Sequence, residues 1–122
     1  MKLNTYRRTG AFTLVEIMIV VAIIGLLAAI AIPNFVRART QSQATACINN
    51  LRLIDGAKQQ WALENNQGPD AKPSDAQITP YLGRASGGTF PSCPAGGQYT
   101  INSVSVKPAC SITDPIPHVL PD

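Results

Sequence analysis

One carboxylate, Glu16, lies at the start of an apolar run that otherwise carries no charge. The sixteen residues from Ile17 to Ile32 include no Asp, Glu, Lys or Arg. A charged side chain inside a membrane-spanning helix costs roughly 2.5–3.5 kcal/mol even on lenient insertion scales. Because the apolar run supplies no cation, we expect Glu16 to form an ion pair with a group from another molecule.

The other residue types that commonly carry chemistry are few. The single histidine is His118, and the three cysteines are Cys47, Cys93 and Cys110. The sequence offers no Ser-His-Asp arrangement, no paired carboxylates and no phosphate-binding glycine loop, so we predict no enzyme activity. The spacing of His118, Cys93 and Cys110 matches no CxxC-type zinc pattern. We therefore predict no metal or other cofactor, and a solvated or loop-packed His118.

The apolar run predicts a single membrane-spanning helix. The 22 residues 11–32 would form about 33 Å of helix, enough to cross a hydrocarbon core of about 30 Å. Lys2, Arg7 and Arg8 precede the run and favour a cytoplasmic N-terminus, although two arginines follow it. A secretory signal peptide is the less favoured alternative, because its apolar core would span only about 7–15 residues.

The rest of the chain carries no dense basic patch. Three of the ten Lys and Arg residues lie before the apolar run, and the remaining seven are matched by seven Asp and Glu residues. Nucleic-acid binding usually requires basic residues clustered on one face. We therefore expect no nucleic-acid partner. Calcium binding stays open, since Asp70, Asp75 and Asp114 lie in the C-terminal part.

Helical periodicity continues beyond Pro33 to about residue 65. Apolar or small residues recur there at steps of three and four, as on one face of a helix. This stripe consists of Ala44, Cys47, Ile48, Leu51, Ile54, Ala57 and Trp61. The following Asn and Gly residues and Pro69 indicate the helix end. We predict one helix over about 12–65, weakened between Gly25 and Pro33 and kinked near Pro33.

The remaining residues, 67–122, are rich in proline and glycine and predict a small head. Ser74 and Gln77 read as a capping box for a short helix that ends near Leu82. Two short strands are predicted around Asn102-Ser103, and a third near 109–112. About 55 residues bury little core on their own, so the head must pack on the stripe. The fold class is therefore α+β.

A disulfide between Cys93 and Cys110 would join the ends of the predicted hairpin. In the chain-entropy model it would contribute about 3 kcal/mol. Disulfides form outside the cytoplasm, which is where the predicted topology places the head. Cys47 lies on the buried stripe and is predicted to be an inert core thiol, although it could replace either partner.

The N-terminal half contains Phe12-Thr13-Leu14-Val15-Glu16, the apolar helix, Gly25 and Pro33-Asn34-Phe35. Together these features resemble the N-terminal signature of type IV pilins and type II secretion pseudopilins. The resemblance covers roughly residues 7–60. It implies a pilin-like fold with four parts. These are a leader peptide (1–11), a transmembrane and filament-core helix (12–32), the amphipathic half of the long helix (33–66) and a periplasmic or extracellular head (67–122).

The resemblance also implies cleavage by prepilin peptidase and N-methylation of the new first residue. In the family, cleavage usually follows Gly and leaves Phe first, whereas here Ala11 lies between Gly10 and Phe12. We prefer cleavage between Ala11 and Phe12, with methylation of Phe12, because it places Glu16 and Pro33 in the family's register. Cleavage between Gly10 and Ala11 is the alternative.

The resemblance implies a filament subunit rather than an enzyme. The new amine of Phe12 would pair with Glu16 of an adjacent subunit, and the segment from Gly25 to Pro33 would lose helix on assembly. Implied partners are copies of the chain or other pilin-like subunits, prepilin peptidase, an inner-membrane assembly platform and, before assembly, membrane lipid. The precursor would cross the inner membrane once, with its head outside, before entering a periplasmic or extracellular filament.

Within this family we favour a part in type II protein secretion, because the head is small and no long variable loop is evident. An adhesive or competence type IV pilin is an alternative. A singly anchored extracytoplasmic binding module is a second alternative from another class. Glu16 argues against the plain anchor, which gains nothing from an acid in its apolar helix.

Overall fold

The computed structural model describes residues 10–83 and 87–122, so most of the predicted leader lies outside the described residues. The elements are α1 (Leu14–Glu64), α2 (Asp75–Ile78), a 3-10 turn (Thr79–Tyr81), β1 (Tyr99–Thr100) and β2 (Ala109–Cys110). One long helix, a short helix and a small antiparallel sheet confirm the predicted α+β, pilin-like fold. The chain divides into two units, Met1–Val36 and Arg37–Asp122.

In the first unit, α1 presents apolar side chains on all sides. The large apolar residues from Phe12 to Val36 are each between 50% and 84% exposed. An 18-residue window of α1 has a mean hydropathy of 2.9, and none of it is buried. By length and composition, α1 is therefore able to cross a membrane.

In the second unit, the predicted stripe of α1 forms the core. Six of its seven positions are buried: Ala44, Cys47, Leu51, Ile54, Ala57 and Trp61. The seventh, Ile48, is half-buried. One part of the core packs Trp61 and Ile54 against Ile78, Leu82 and Ile101 from the later chain. The head therefore uses the helix as half of its interior, as its small size requires.

The end of α1 follows the predicted Asn-rich signal. Asn66 adopts a positive φ of 51° just after the helix. The Gln67 N–H then donates to the Ala62 carbonyl at 2.9 Å, as in a Schellman-type cap. Asn tolerates the left-handed conformation better than most residues with a side chain. The left-handed residue is therefore Asn66 rather than Gly68.

The start of α2 confirms the predicted capping box. The Ser74 N–H donates to the Gln77 side-chain oxygen at 2.8 Å. The helix is shorter than expected, since it ends at Ile78 and gives way to the 3-10 turn with Pro80 near its start. Leu82 closes this segment and is buried.

The sheet pairs different segments from those predicted. β1 pairs antiparallel with β2, with Tyr99 opposite Cys110, so the predicted strand near 109–112 is present. The predicted strand that would follow Asn102-Ser103 is wrong, because residues 104 and 105 form a turn. The Val104 N–H bonds to the Ala71 carbonyl, and the Ser105 N–H bonds to the Pro69 carbonyl. These two N–H groups are thus bonded to the segment after α1 and are not available to pair with a neighbouring strand.

A lysine, Lys58, is fully buried on α1 and ties this turn to the helix. Its Nζ donates to the Ile101 carbonyl at 3.1 Å and also to the Val106 carbonyl. Asp55 lies 3.6 Å from the same nitrogen. Burial lowers the pKa of Lys58, and the Asp55 carboxylate opposes that change. No local pattern predicts this role, because lysine is almost never fully buried unless it is paired.

Replacing Lys58 by methionine should destabilise the second unit. Lys58→Met keeps the aliphatic stem but leaves the Ile101 and Val106 carbonyls without their donor, which should cost about 1.5–3 kcal/mol. The exposed pair of Lys107 and Asp122, 2.8 Å apart, provides the control, and Lys107→Met should cost less than about 1 kcal/mol. Denaturant unfolding of the full chain in detergent measures both. Equal losses for the two variants would contradict a structural role for Lys58.

Candidate functional site

Thr13 and Glu16 form a reciprocal cap at the start of α1. The Thr13 N–H donates to Glu16 Oε2 at 2.9 Å, and the Glu16 N–H donates to Thr13 Oγ1 at 3.2 Å. The first helical bond joins the Ile17 N–H to the Thr13 carbonyl at 3.4 Å. This is the Thr-x-x-Glu capping box, which satisfies two backbone donors that a helix start leaves open.

The cap gives Glu16 a hydrogen-bond partner within its own chain, and the expected ion pair with another molecule remains a prediction. The Thr-x-x-Glu spacing was a readable signal for the cap, and Thr13 is the residue that sequence reasoning missed. The carboxylate remains exposed, and an amide hydrogen bond leaves its negative charge in place. Among residues 10–83 and 87–122, no cation forms an ion pair with Glu16. The cap therefore orients the charge without neutralising it.

The residues of the predicted processing site precede α1. Gly10, Ala11 and Phe12 are non-helical and exposed. Both candidate bonds, before and after Ala11, are therefore accessible in a segment outside the helix. The assignment of cleavage and methylation to these residues remains a prediction.

Gly25 and Pro33 both lie inside α1, which is helical at every residue between its bounds. A side chain added at Gly25 would meet nothing within 4 Å. Pro33 has no N–H to donate, so the regular bond to the Ala29 carbonyl is missing there. Both residues lower the helix stability of this segment, while the predicted kink remains a prediction.

Three thiols and one imidazole meet in the second unit. Cys47 comes from α1, Cys93 from the loop before β1, Cys110 from β2 and His118 from the C-terminal segment. Their ligand atoms all lie within 4.8 Å of one another. His118 Nδ1 is 3.5 Å from Cys93 Sγ and 3.9 Å from Cys110 Sγ. We call these four residues the thiol–imidazole cluster.

Local backbone structure brings the members of this cluster together. The Gly96 N–H bonds back to the Cys93 carbonyl at 3.0 Å, with φ of 84° at Gly96. At Gly97, an added Cβ would lie 2.8 Å from Cys110 Sγ and 3.3 Å from Cys93 Sγ. A residue without a side chain is therefore needed here. The His118 N–H donates to the Ile112 carbonyl at 3.1 Å, which fixes the C-terminal segment.

The thiols of the cluster differ in acidity. Burial raises the pKa of Cys47 to about 12. Burial acts in the same direction on Cys93. Hydrogen bonds from the Ala95 and Gly97 backbone and from the Cys47 and Cys110 thiols together outweigh it, so that the pKa of Cys93 lies below its usual value. His118 is only 2% exposed, so it is not a solvated histidine.

All three cysteines are free thiols in the structure. The disulfide between Cys93 and Cys110 is therefore not shown, and it remains a prediction. Cys47 is buried, as expected from its place on the stripe, and it packs with Leu51 and Cys93 in the apolar core.

Comparison with known proteins identifies the N-terminal signature. Residues 6–32 match the prokaryotic N-terminal methylation motif. The chain is 44% identical over 63 residues to the type IV major pilin protein PilA of Myxococcus xanthus. The aligned region covers 52% of this chain and 29% of that protein. It is 30% identical over 63 residues to the type II secretion system core protein G of Aeromonas hydrophila, covering 52% and 44%.

A third relative is the type IV major fimbrial protein FimA of Dichelobacter nodosus, 49% identical over 72 residues, covering 55% of this chain and 42% of that protein. No solved structure matches the chain. The match thus spans less than half the length of each of these relatives, all of which are pilin or pseudopilin subunits rather than enzymes. In its methylation motif and over about half of its length, the chain is therefore similar to type IV pilins and type II secretion pseudopilins.

Proposed function

We propose that this chain is a structural subunit of a pilus or pseudopilus filament, made as a membrane-anchored precursor. The methylation motif and the pilin and core protein G homologues support this class of function. The exposed apolar side chains of α1 suit either lipid or the apolar helices of neighbouring subunits. Assembly would exchange the first environment for the second.

The observation that carries the proposal is the exposed, capped carboxylate of Glu16. Its hydrogen bond from Thr13 holds the side chain near the helix start, while its charge stays available. A cation 4 Å away would gain about 4 kcal/mol at an effective dielectric constant near 20. A subunit that lacks such a partner would keep an unpaired charge at an apolar surface. Glu16 would therefore favour subunits docked in one register.

Removal of residues 1–11 would supply that cation. Cleavage by prepilin peptidase between Ala11 and Phe12 creates an α-amino group on Phe12, which N-methylation leaves able to carry a positive charge. The exposed, non-helical backbone at these residues is compatible with access by the peptidase. Cleavage between Gly10 and Ala11 remains the alternative, and it would move the amine one residue farther from Glu16.

Assembly would also draw on the weakened part of α1. Gly25 has no side chain, and Pro33 removes one helical hydrogen bond, so the intervening segment costs less to unwind than the rest of the helix. We propose that this segment loses helix as subunits enter the filament. The local lengthening would let the helix start adjust its depth while the second unit keeps its packing.

The proposed topology follows from the charges that flank the helix. Lys2, Arg7 and Arg8 favour a cytoplasmic N-terminus, which places residues 67–122 outside the inner membrane. Further partners would be an inner-membrane assembly platform and other pilin-like subunits.

Within the family we propose a role in type II protein secretion. The part of the head that the structure describes has one short helix and two strands of two residues each. Such a head offers little surface for adhesion. Deleting the gene in its host should abolish export of secreted enzymes and leave surface pili and twitching motility intact. Loss of pili with normal secretion would contradict this assignment and favour a type IV pilin.

The role of the Glu16 charge can be separated from its capping role by two variants. Glu16→Gln keeps a capping-box acceptor, because glutamine serves at this position, but it removes the charge. Thr13→Ala removes the acceptor for the Glu16 N–H, at a cost of about 1 kcal/mol, but it keeps the charge. We expect Glu16→Gln to insert in the membrane and fail to enter filaments, whereas Thr13→Ala should assemble.

The measurement is the ratio of sheared filament protein to membrane-bound protein, determined by immunoblotting in the native host. Equal membrane levels of both variants and the wild type control for insertion and turnover. Normal assembly of Glu16→Gln would contradict the charge-pairing proposal. An equal loss of assembly in both variants would assign the effect to the helix cap instead.

A further inference from the structure

We propose that the thiol–imidazole cluster is a structural zinc site, with Cys47, Cys93, Cys110 and His118 as its four ligands. These residues are far apart in sequence, yet their ligand atoms lie within 4.8 Å of one another. Three thiolates and one imidazole are a ligand set of closed, four-coordinate zinc sites. Neither the methylation motif nor the homologues assign a metal to this part of the chain.

The two distances from His118 to the sulfurs of Cys93 and Cys110 match tetrahedral coordination. Zn–S bonds of about 2.3 Å and Zn–N bonds of about 2.0–2.1 Å place an imidazole nitrogen about 3.6 Å from each sulfur and the sulfurs about 3.8 Å apart. His118 Nδ1 lies 3.5 Å from Cys93 Sγ and 3.9 Å from Cys110 Sγ. The other ligand atoms lie within 4.8 Å of one another, so an ion would fit at the centre of the cluster with shifts of at most about 1 Å between ligand atoms.

The surroundings of the sulfurs suit thiolate ligands. The Asn50 amide donates to the Tyr99 hydroxyl at 3.1 Å, and the Tyr99 hydroxyl forms a hydrogen bond with the Cys47 sulfur. On the other side, backbone N–H groups of Ala95 and Gly97 hydrogen-bond to Cys93. Outer-shell hydrogen bonds of this kind orient ligands and help to compensate the negative charge of a three-thiolate site.

Burial makes the site structural. Cys47, Cys93 and His118 are buried, and all four coordination positions are filled by protein, which leaves none for water or a substrate. On binding, the three thiol protons pass to solvent and Zn²⁺ takes their place. The ion would tie α1 to the loop before β1, to β2 and to the C-terminal segment, which compensates for the few hydrogen bonds of a two-stranded sheet.

The site excludes the predicted disulfide, because both use Cys93 and Cys110. An oxidising compartment favours the disulfide, whereas a bound ion would protect the thiols. This inference departs from the expectation that the chain holds no metal, which was based on sequence spacing. It does not depend on the filament function, since its ligands all lie in the second unit.

The test uses the full chain in detergent, reduced and stripped of metal, titrated with Zn²⁺ in competition with a chromophoric chelator. We expect one Zn²⁺ per chain. We also expect Co²⁺ in the wild-type chain to give thiolate charge-transfer bands and the absorption of a tetrahedral site. Weak, non-stoichiometric Zn²⁺ binding, or an octahedral Co²⁺ spectrum, would overturn the proposal without requiring any variant.

A matched pair of variants assigns the ligands. His118→Ala should weaken Zn²⁺ binding by more than about 100-fold, since even outer-shell changes typically cost 10–100-fold. Asp114→Asn removes a nearby exposed carboxylate in the same segment and should leave the affinity unchanged. If His118→Ala retained wild-type affinity, His118 would not be a ligand and the proposed site would be wrong.

The native thiol state gives an independent result. In protein isolated from its membrane without reductant, we expect all three cysteines to resist alkylation until a chelator is added, and then to react. Peptide mapping by mass spectrometry would identify each modified residue. A disulfide between Cys93 and Cys110 in that material would overturn the zinc site and confirm the predicted cross-link instead.

Discussion

Burial of one face of α1 by the chain after Glu64 is the interaction on which the second unit depends. The head has only α2, a 3-10 turn and a two-stranded sheet, too little regular structure to enclose a core of its own. The helix therefore supplies Leu51, Ile54 and Trp61 to the interior. Lys58 adds charged hydrogen bonds to two carbonyls of the later turn. One face of one helix thus organises chain segments that lack extended secondary structure.

The same helix meets a different requirement in the first unit, where its side chains face outward and are apolar. An unpaired carboxylate at that apolar surface is unfavourable. It would favour assembly only if a neighbouring subunit supplied a cation that pairs with it. The Thr13–Glu16 cap adds a local role, since it completes the helix start and limits where the carboxylate can lie. Capping and charge pairing are compatible, because the cap uses one carboxylate oxygen and leaves the net charge unchanged.

Helical periodicity predicts the buried face and the end of α1, but it predicts little of how the loops pack. The stripe from Ala44 to Trp61 and the stop at Asn66 follow from local spacing. The β propensity of Val104 predicts a strand, but the residue lies in a turn. Its N–H bonds to the segment after α1, and this contact outweighs the β propensity. Lys58 bonds to a carbonyl 43 positions away, and the thiol–imidazole cluster joins Cys47 to residues of the much later chain, which no local pattern encodes. The Thr13 cap was readable from its spacing.

We propose that this chain is processed to expose an amine, which then pairs with Glu16 of a neighbouring subunit in a filament. Mass spectrometry of the N-terminal peptide from protein in its native membrane tests it most directly. We expect a chain that begins with N-methylated Phe12. A chain that begins with methylated Ala11 would keep the family but contradict the proposed register of Glu16. An unprocessed chain that retains Met1 would contradict the filament subunit and favour a membrane-anchored module.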